Sequence, residues 1–359
     1  MTTTAAFVSP PTDVIFEILS WLPAKSLRRC RCVSKKWRDL ISDPAFVAAH
    51  RSRAKPEPLL VAMTHNSHAG YKLQLMDTEG TVVRVVSLAG QSTFRASHDG
   101  LVCITLGYNN SRTQIEIVDL ATEVRLMNLL KPAVGEYYTY YTCIGFGRTA
   151  QSGAYKVLLL GTRTTKTQTW EVLTVGDSAE WRQTQPCPMM VRLHYDSSSG
   201  VTVNGASHFL SHDENYVLHF DLESEEWKVI HGPQGAIRDQ NTRSIAELNA
   251  TLCMAQILSP VIINVWLLTD SNKNNWVKTY TIPTDWKVVN YVVPLRELHL
   301  GELLFYYYGN SSKPNLQVYD PVSGRCTDVK TPTNIVGKIG LCSSNLNPSY
   351  SMGSLAESP

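Results

Sequence analysis

Residues 216–230 read YVLHFDLESEEWKVI: a β-rich run, a polar turn, and a second run opened by a tryptophan. Aromatic and branched side chains suit a half-buried pleated surface, and Asp221 suits the turn because a short carboxylate bonds its own backbone. Five other segments share this grammar: YKLQLMDTEGTVVRVVSL (71–88), IEIVDLATEVRLMNL (115–129), TWEVLTVGDSAEWRQT (169–184), INVWLLTDSNKNNWVKTYTI (263–282) and LQVYDPVSGRCTDV (316–329). Each has aspartate at or beside the turn, at Asp77, Asp119, Asp177, Asp221, Asp270 and Asp320, with successive spacings of 42, 58, 44, 49 and 50 residues. In three of them a tryptophan opens the next run, at Trp181, Trp227 and Trp276. Before most of these hairpins lies another strand pair around a glycine or asparagine turn, as in HDGLVCI (98–104), VNGASHFL (203–210), ELNATLCMAQ (247–256) and LGELLFYYY (300–308). Four strands recurring every ~40–50 residues mark propeller blades, none of which buries its faces alone. A two-sheet sandwich would not need so regular a repeat. The pattern predicts an all-β, propeller-like domain of about six blades over residues 58–343, with the run 335–342 adding a strand to the first blade.

Toward the N-terminus, residues 55–58 (KPEP) read as a linker, and the chain before them is helical in period. PPTDVIFEILSWLPAKSLRRCRCVSKKWRDLISDPAF (10–46) spaces Val14, Ile15, Ile18, Leu19 and Leu22 as one wide stripe on a helix that starts near Pro11 and Thr12. Leu22 and Pro23 break that helix. A second is expected around Leu27, a third capped by Ser34 and presenting Val33, Trp37, Leu40 and Ile41, and a fourth after Pro44. A domain of about 40 residues seldom holds a core without metals, disulfides or a partner, so residues 8–52 are expected to dock. The fold class expected for the whole chain is α+β multidomain: three to four small helices, then the β domain. The polar tail 344–359 is expected to be disordered.

The helical segment resembles an F-box. Its pattern appears as Pro10, Pro11, Asp13, Glu17, Ile18, Leu19, Leu22, Pro23, Leu27, Cys32, Val33, Ser34 and Trp37, with Pro10 where the family usually has leucine. The β region is similar to the F-box-associated domain of plant F-box proteins, a kelch-like repeat, through Asp99, Gly100 and Leu101; Gly145, Phe146 and Gly147 with Tyr155, Lys156 and Val157; Val203, Asn204, Gly205 and His208; Phe220, Asp221 and Leu222; Leu252 and Cys253; Trp276, Val277 and Lys278; and Tyr319, Asp320 and Pro321. It lacks the paired glycines of true kelch repeats. The resemblance implies a substrate-receptor subunit of a cullin–RING ubiquitin ligase, non-catalytic in itself. By the same resemblance such a subunit is expected to bind a Skp-family adaptor through Pro11, Ile15, Ile18, Leu19, Leu22, Pro23, Leu27, Val33 and Trp37. The β domain holds a protein substrate that the sequence does not name. Alternatives are a non-degradative propeller scaffold and a propeller enzyme acting on glycans, the latter disfavoured by missing acid/base motifs.

Bulk properties agree with an intracellular, cytoplasmic or nuclear protein. Apolar residues make up 43% and charged residues 18% of 359, as in ordinary globular chains. The longest apolar stretch, near 261–268, falls far short of the ~20 residues of a membrane helix, and MTTTAAFVSPP lacks a signal-peptide core. The eight cysteines include no C-x-x-C pair, so neither metal nor disulfide scaffold is expected; Cys30 and Cys32 are expected to pack as small hydrophobes. Residues 24–55 hold ten Lys/Arg against Asp39 and Asp43, a charge of +8 that leaves −6 for the rest. Without aromatic interleaving this basic cluster points to a protein partner or a solvated face rather than to nucleic acid.

Motifs for chemistry are weak, and no cofactor is expected. The glycines Gly145 and Gly147 match a dinucleotide pattern on paper, but a strand follows, not a helix, so they are read as a blade turn. His208 and His212 have metal-like spacing only on a helix, and VNGASHFLSHDE reads as strand. The tyrosine groups within 137–141 and 306–308 are read as packing.

Overall fold

The computed structural model describes residues 10–22, 27, 30–43, 45–46, 49, 58–106, 112–132, 140–162, 167–176, 180–192, 200–233, 243–259, 262–284, 291–309 and 313–342. The chain divides into two compact units, 1–57 with 297–302, and 58–296 with 303–359. Pro23, Asp177, Tyr137, Tyr138 and the tail 344–359 lie outside the described residues.

In the first unit two helices are described, α1 (Thr12–Ser20) and α2 (Lys35–Ser42), where the sequence predicts three to four. Of the other two, only separate residues are described: Leu27 and Cys30, and Ala45, Phe46 and Ala49, all helical. The cap of α1 is Pro11, which has no side-chain donor or acceptor to offer; its carbonyl accepts from the N–H groups of Val14 and Ile15. Ser34 caps α2 as expected, its hydroxyl accepting from the Trp37 N–H at 3.2 Å. Ile15, Leu19, Leu27, Ile41 and Phe46 are buried together, with Phe16 edge-on to Phe46 at 5.1 Å. Cys30 is half-buried against this core, whereas Cys32 is exposed, contrary to the packing role expected of it.

The second unit is built of six four-stranded antiparallel sheets. Blade 1 comprises β1 (Leu59–Asn66), β2 (Gly70–Met76) and β3 (Val82–Ser87). Blade 2 is β4 (Ser92–His98), β5 (Leu101–Leu106), β6 (Arg112–Asp119) and β7 (Arg125–Pro132); blade 3 is β8 (Tyr140–Arg148), β9 (Tyr155–Thr162), β10 (Gln168–Thr174) and β11 (Arg182–Gln183). Blade 4 is β12 (Val201–Val203), β13 (Ala206–Leu210), β14 (Tyr216–Asp221) and β15 (Trp227–His231); blade 5 is β16 (Arg243–Leu248), β17 (Thr251–Ser259), β18 (Ile262–Asp270) and β19 (Asn275–Pro283). Blade 6 is β20 (Tyr291–Glu297), β21 (Leu303–Tyr308), β22 (Pro314–Asp320) and β23 (Arg325–Asp328). The last strand, β24 (Ile335–Cys342), pairs with β1 and completes blade 1, as the sequence predicts. The structure is a six-bladed β-propeller, in which radial repetition leaves only short, protected sheet edges.

Local chemistry accounts for the repeat. Asp77, Asp119, Asp221 and Asp270 each accept two backbone N–H bonds through Oδ1 from the turn that follows. Asp320 does the same with its two oxygens, from Val322 and Ser323. The first hairpins of blades 2, 4 and 5 turn on two residues of positive φ: Asp99 and Gly100, Asn204 and Gly205, Asn249 and Ala250. That combination matches the twist of the flanking strands. Two of the tryptophans staple blades together, Trp227 Nε1 donating to the Gln185 carbonyl at 3.1 Å and Trp276 Nε1 to that of His231 at 2.7 Å.

The core lies between blades rather than at a single centre. Val61, Met63, Leu73 and Leu75 of blade 1 pack on Phe94, Val102 and Ile104 of blade 2; Ile115 and Ile117 of blade 2 on Phe146, Val157 and Leu159 of blade 3; Leu158, Leu160 and Trp170 of blade 3 on Phe209, Leu218 and Phe220 of blade 4. Gly145 and Gly147, read from sequence as a turn, lie within β8. A Cβ at Gly147 would collide with Thr202 Cγ2 of blade 4, and one at Gly145 would meet Ser207 Oγ at 2.9 Å. These glycines let two blades approach, and no helix follows that could face a pyrophosphate.

Candidate adaptor-docking and substrate-recognition surfaces

Helix α1 is apolar on two sides. Ile15 and Leu19, one turn apart, face inward onto Leu27, Ile41 and Phe46, which leaves Val14, Ile18 and Trp21 outward at i, i+4 and i+7. Ile18 is 57% exposed, Trp21 67% and Val33 64%. Four large apolar side chains on so small a unit are more than chance scatter. Beside them α2 exposes Lys35, Lys36 and Arg38. The sequence-predicted docking residues therefore separate. Pro11, Ile18 and Val33 are exposed, and Leu22 and Trp37 half-buried, while Ile15, Leu19 and Leu27 are enclosed in the unit's own core, where they support the surface from beneath. Val14 and Trp21 are surface residues that the sequence reading missed as docking candidates. Their i, i+7 spacing was visible, but only packing tells the inner edge of a wide stripe from the outer.

In the propeller, the innermost strands of all six blades (β4, β8, β12, β16, β20 and β24) enclose a channel with a cavity of about 140 Å³. Its wall is mixed: Phe94, Phe146, Ile245, Tyr291 and Leu295 are among its apolar and aromatic side chains, and Glu247 and Lys338 are its charged residues. Partial removal from water at the channel wall raises the Glu247 carboxyl above the ordinary carboxylate range, Asp99 adds to the rise, and a hydrogen bond from the Ala250 N–H opposes it. Lys338 Nζ sits 5.5 Å from the centroid of the Phe94 ring.

Comparison with known proteins gives both surfaces a family. The F-box associated beta propeller domain family matches residues 65–339, and the F-box domain family matches residues 11–48. The chain belongs to the F-box proteins with an F-box-associated β-propeller. Similar proteins of Arabidopsis thaliana include an F-box/LRR-repeat protein, 27% identical over 86% of this chain and 76% of its own length. Another is the F-box protein CPR1, 23% identical over 94% of this chain and 90% of its own. An F-box/kelch-repeat protein is 25% identical over 91% and 96%. The resemblance read from the sequence, to a plant F-box protein carrying this associated domain, therefore holds.

Within the F-box protein's propeller the remaining motifs resolve as structure. His208, on β13, bonds across the sheet to His219 on β14, Nε2 to Nδ1 at 3.0 Å, and not to His212. Its Nδ1 faces the Val201 carbonyl at 3.3 Å, an arrangement that suits one neutral tautomer, with Nδ1 donating and Nε2 accepting. Among the described residues no group of three His, Cys, Asp or Glu is arranged to hold a metal ion, and no helix is long and apolar enough to cross a membrane. Tyr306 and Tyr308 are buried, the latter donating to the Gly337 carbonyl at 2.5 Å.

Burial, and secondarily the His219 charge, push the His208 imidazole down to about 3. Because this lies below the unfolded value near 6.5, the unfolded chain takes up the proton first as pH falls. The stabilisation is complete above about pH 6.5 and is lost progressively toward pH 3. At pH 5 the loss is about 2 kcal/mol. Urea unfolding at pH 7.5 and pH 5 should show at least that difference in the wild type, since His98 and His219 are also shifted down, and a smaller one in His208→Gln; equal differences would refute it.

Proposed function

We propose that this F-box protein is the substrate receptor of an SCF-type cullin–RING ubiquitin ligase, active where such ligases are, in cytoplasm or nucleus. The F-box captures a Skp-family adaptor, and the propeller holds a protein substrate near the conjugating enzyme. Catalysis by this chain is proximity alone. None of its residues performs covalent chemistry, and no cofactor, membrane or nucleic acid enters the reading. The observation that carries it is the exposed face of Val14, Ile18, Trp21 and Val33 on a unit whose own core is already filled by Ile15, Leu19, Leu27, Ile41 and Phe46. In this reading Pro11, Ile18 and Val33 touch the adaptor, Leu22, Pro23 and Trp37 border the contact, and Ile15, Leu19 and Leu27 hold α1 in place.

Capture of purified Skp-family adaptor by the full chain tests this. Ile18→Asp places a charge at the centre of the exposed stripe without entering the core, so binding should fall about a hundredfold or more, as for a central interface residue, with the unfolding midpoint unchanged. Equal recovery of adaptor by wild type and Ile18→Asp would overturn the assignment.

A further inference from the structure

The substrate-receptor reading leaves open what the propeller grips, and the channel narrows it. A cavity of about 140 Å³ is well below the ~300–1,000 Å³ of pockets that enclose whole small molecules. It is the size of one long side chain. Its wall supplies aromatic and aliphatic surface at Phe94, Phe146, Ile245, Tyr291 and Leu295 for an apolar stem. The wall carries one carboxylate, Glu247, and one ammonium, Lys338. Glu247 on blade 5 is exposed to the channel and has no Lys or Arg ion pair among the described residues. Asp99 on blade 2, opposite blade 5 in a ring of six, acts on Glu247 electrostatically. The groups near Asp99 are the Tyr155 hydroxyl at 3.4 Å and His98 at 3.6 Å, an imidazole kept toward its neutral form by burial, with the Arg148 guanidinium 5.9 Å from the Tyr155 ring centroid. Lys338, on blade 1, is the cation of the wall, and its ammonium is drawn to the face of Phe94. Beyond the channel, residues 56–359 carry 23 Lys/Arg against 27 Asp/Glu, a net −4, which favours approach of a basic partner.

We propose that the central channel takes up one basic side chain, lysine or arginine, of the bound protein, with the stem along the aromatic wall and the cation on Glu247. Aromatic faces attract a cation in addition to the carboxylate, whereas an acidic side chain would meet only Lys338, already over the face of Phe94, and would be repelled by Glu247.

The probe is n-butylguanidinium, with n-pentanol and butanoate as neutral and acidic counterparts, titrated into the full chain and followed by saturation-transfer NMR. The guanidinium should bind most strongly. Glu247→Gln, which keeps shape and removes charge, should weaken it about tenfold, the scale of a hydrogen bond to a charged group. Asp99→Asn should weaken it less. That variant keeps its fold because asparagine tolerates the positive φ of 49° at this position, so it carries the test if Glu247→Gln is unstable. Equal binding of pentanol, preference for butanoate, or unchanged affinity in both variants would overturn the proposal. Adaptor capture measured on the same preparation separates the two readings. Probe binding without adaptor capture refutes the receptor function alone, and adaptor capture without probe binding refutes the channel site alone.

Discussion

A chain ending at Asn334 should fail to give a folded propeller. Such a chain lacks β24 alone among the described strands, and with it the buried side chains Ile335, Ile339 and Cys342. At ~1.5–3 kcal/mol for each fully buried apolar side chain, about 5–9 kcal/mol of burial disappears. That is comparable to the whole stability of an ordinary domain, ~5–15 kcal/mol. The loss extends beyond β24. Strand β1 would show an unpaired inner edge where Leu59, Leu60, Val61 and Ala62 now pair with Cys342, Leu341, Gly340 and Ile339, and Ser97 Oγ and Tyr308 OH would lose the carbonyls of Leu341 and Gly337. An open ring with a long apolar edge aggregates. The expected result is insoluble protein or the absence of a cooperative thermal transition, while a chain ending at Ser344 retains all of β24 and serves as control. A soluble truncated chain with the wild-type unfolding midpoint would show that the ring is not closed by this strand.

Removing residues 1–50 should have the opposite character: the propeller stays folded and recruitment is lost. The four inter-blade layers described, from Val61 on Phe94 around to Val217 on Ile245 and Met254, are filled by residues from 59 onward, so the unfolding midpoint of the β domain should be unchanged. Co-purification of cullin should fall at least about a hundredfold, because the whole of Val14, Ile18, Trp21 and Val33 is gone and such contacts dominate affinity. A fragment that holds substrate without delivering it should compete with the full chain, and substrate should accumulate in cells expressing it. Unchanged cullin recovery, or normal substrate turnover with substrate confirmed on the fragment, would overturn the recruitment mechanism.

Whatever depends on a residue and its near neighbours was legible in the amino-acid order. Asp77, Asp119, Asp221, Asp270 and Asp320 make their turns through bonds reaching two to four residues ahead, so the blade count could be read from their spacing. Ser34 as a helix cap and the role of 335–342 in blade 1 were legible for related reasons, the first local and the second because a ring of blades needs its last strand. Which surfaces meet was settled by packing. The period of α1 gave one broad apolar stripe, but packing onto Leu27, Ile41 and Phe46 chose Ile15 and Leu19 for the inside and left Ile18 and Trp21 outside. Gly145 and Gly147 looked like turn residues, yet their lack of a side chain serves Ser207 and Thr202, about 55 or more positions away in the chain. His208 found His219 by strand register rather than His212 by spacing. The channel, with Glu247 and Phe94 brought from opposite blades, exists only once the ring closes. Local hydrogen bonds and dihedral preferences act over a few residues and are written in order along the chain, whereas contact between blades follows from closure, which no short segment encodes.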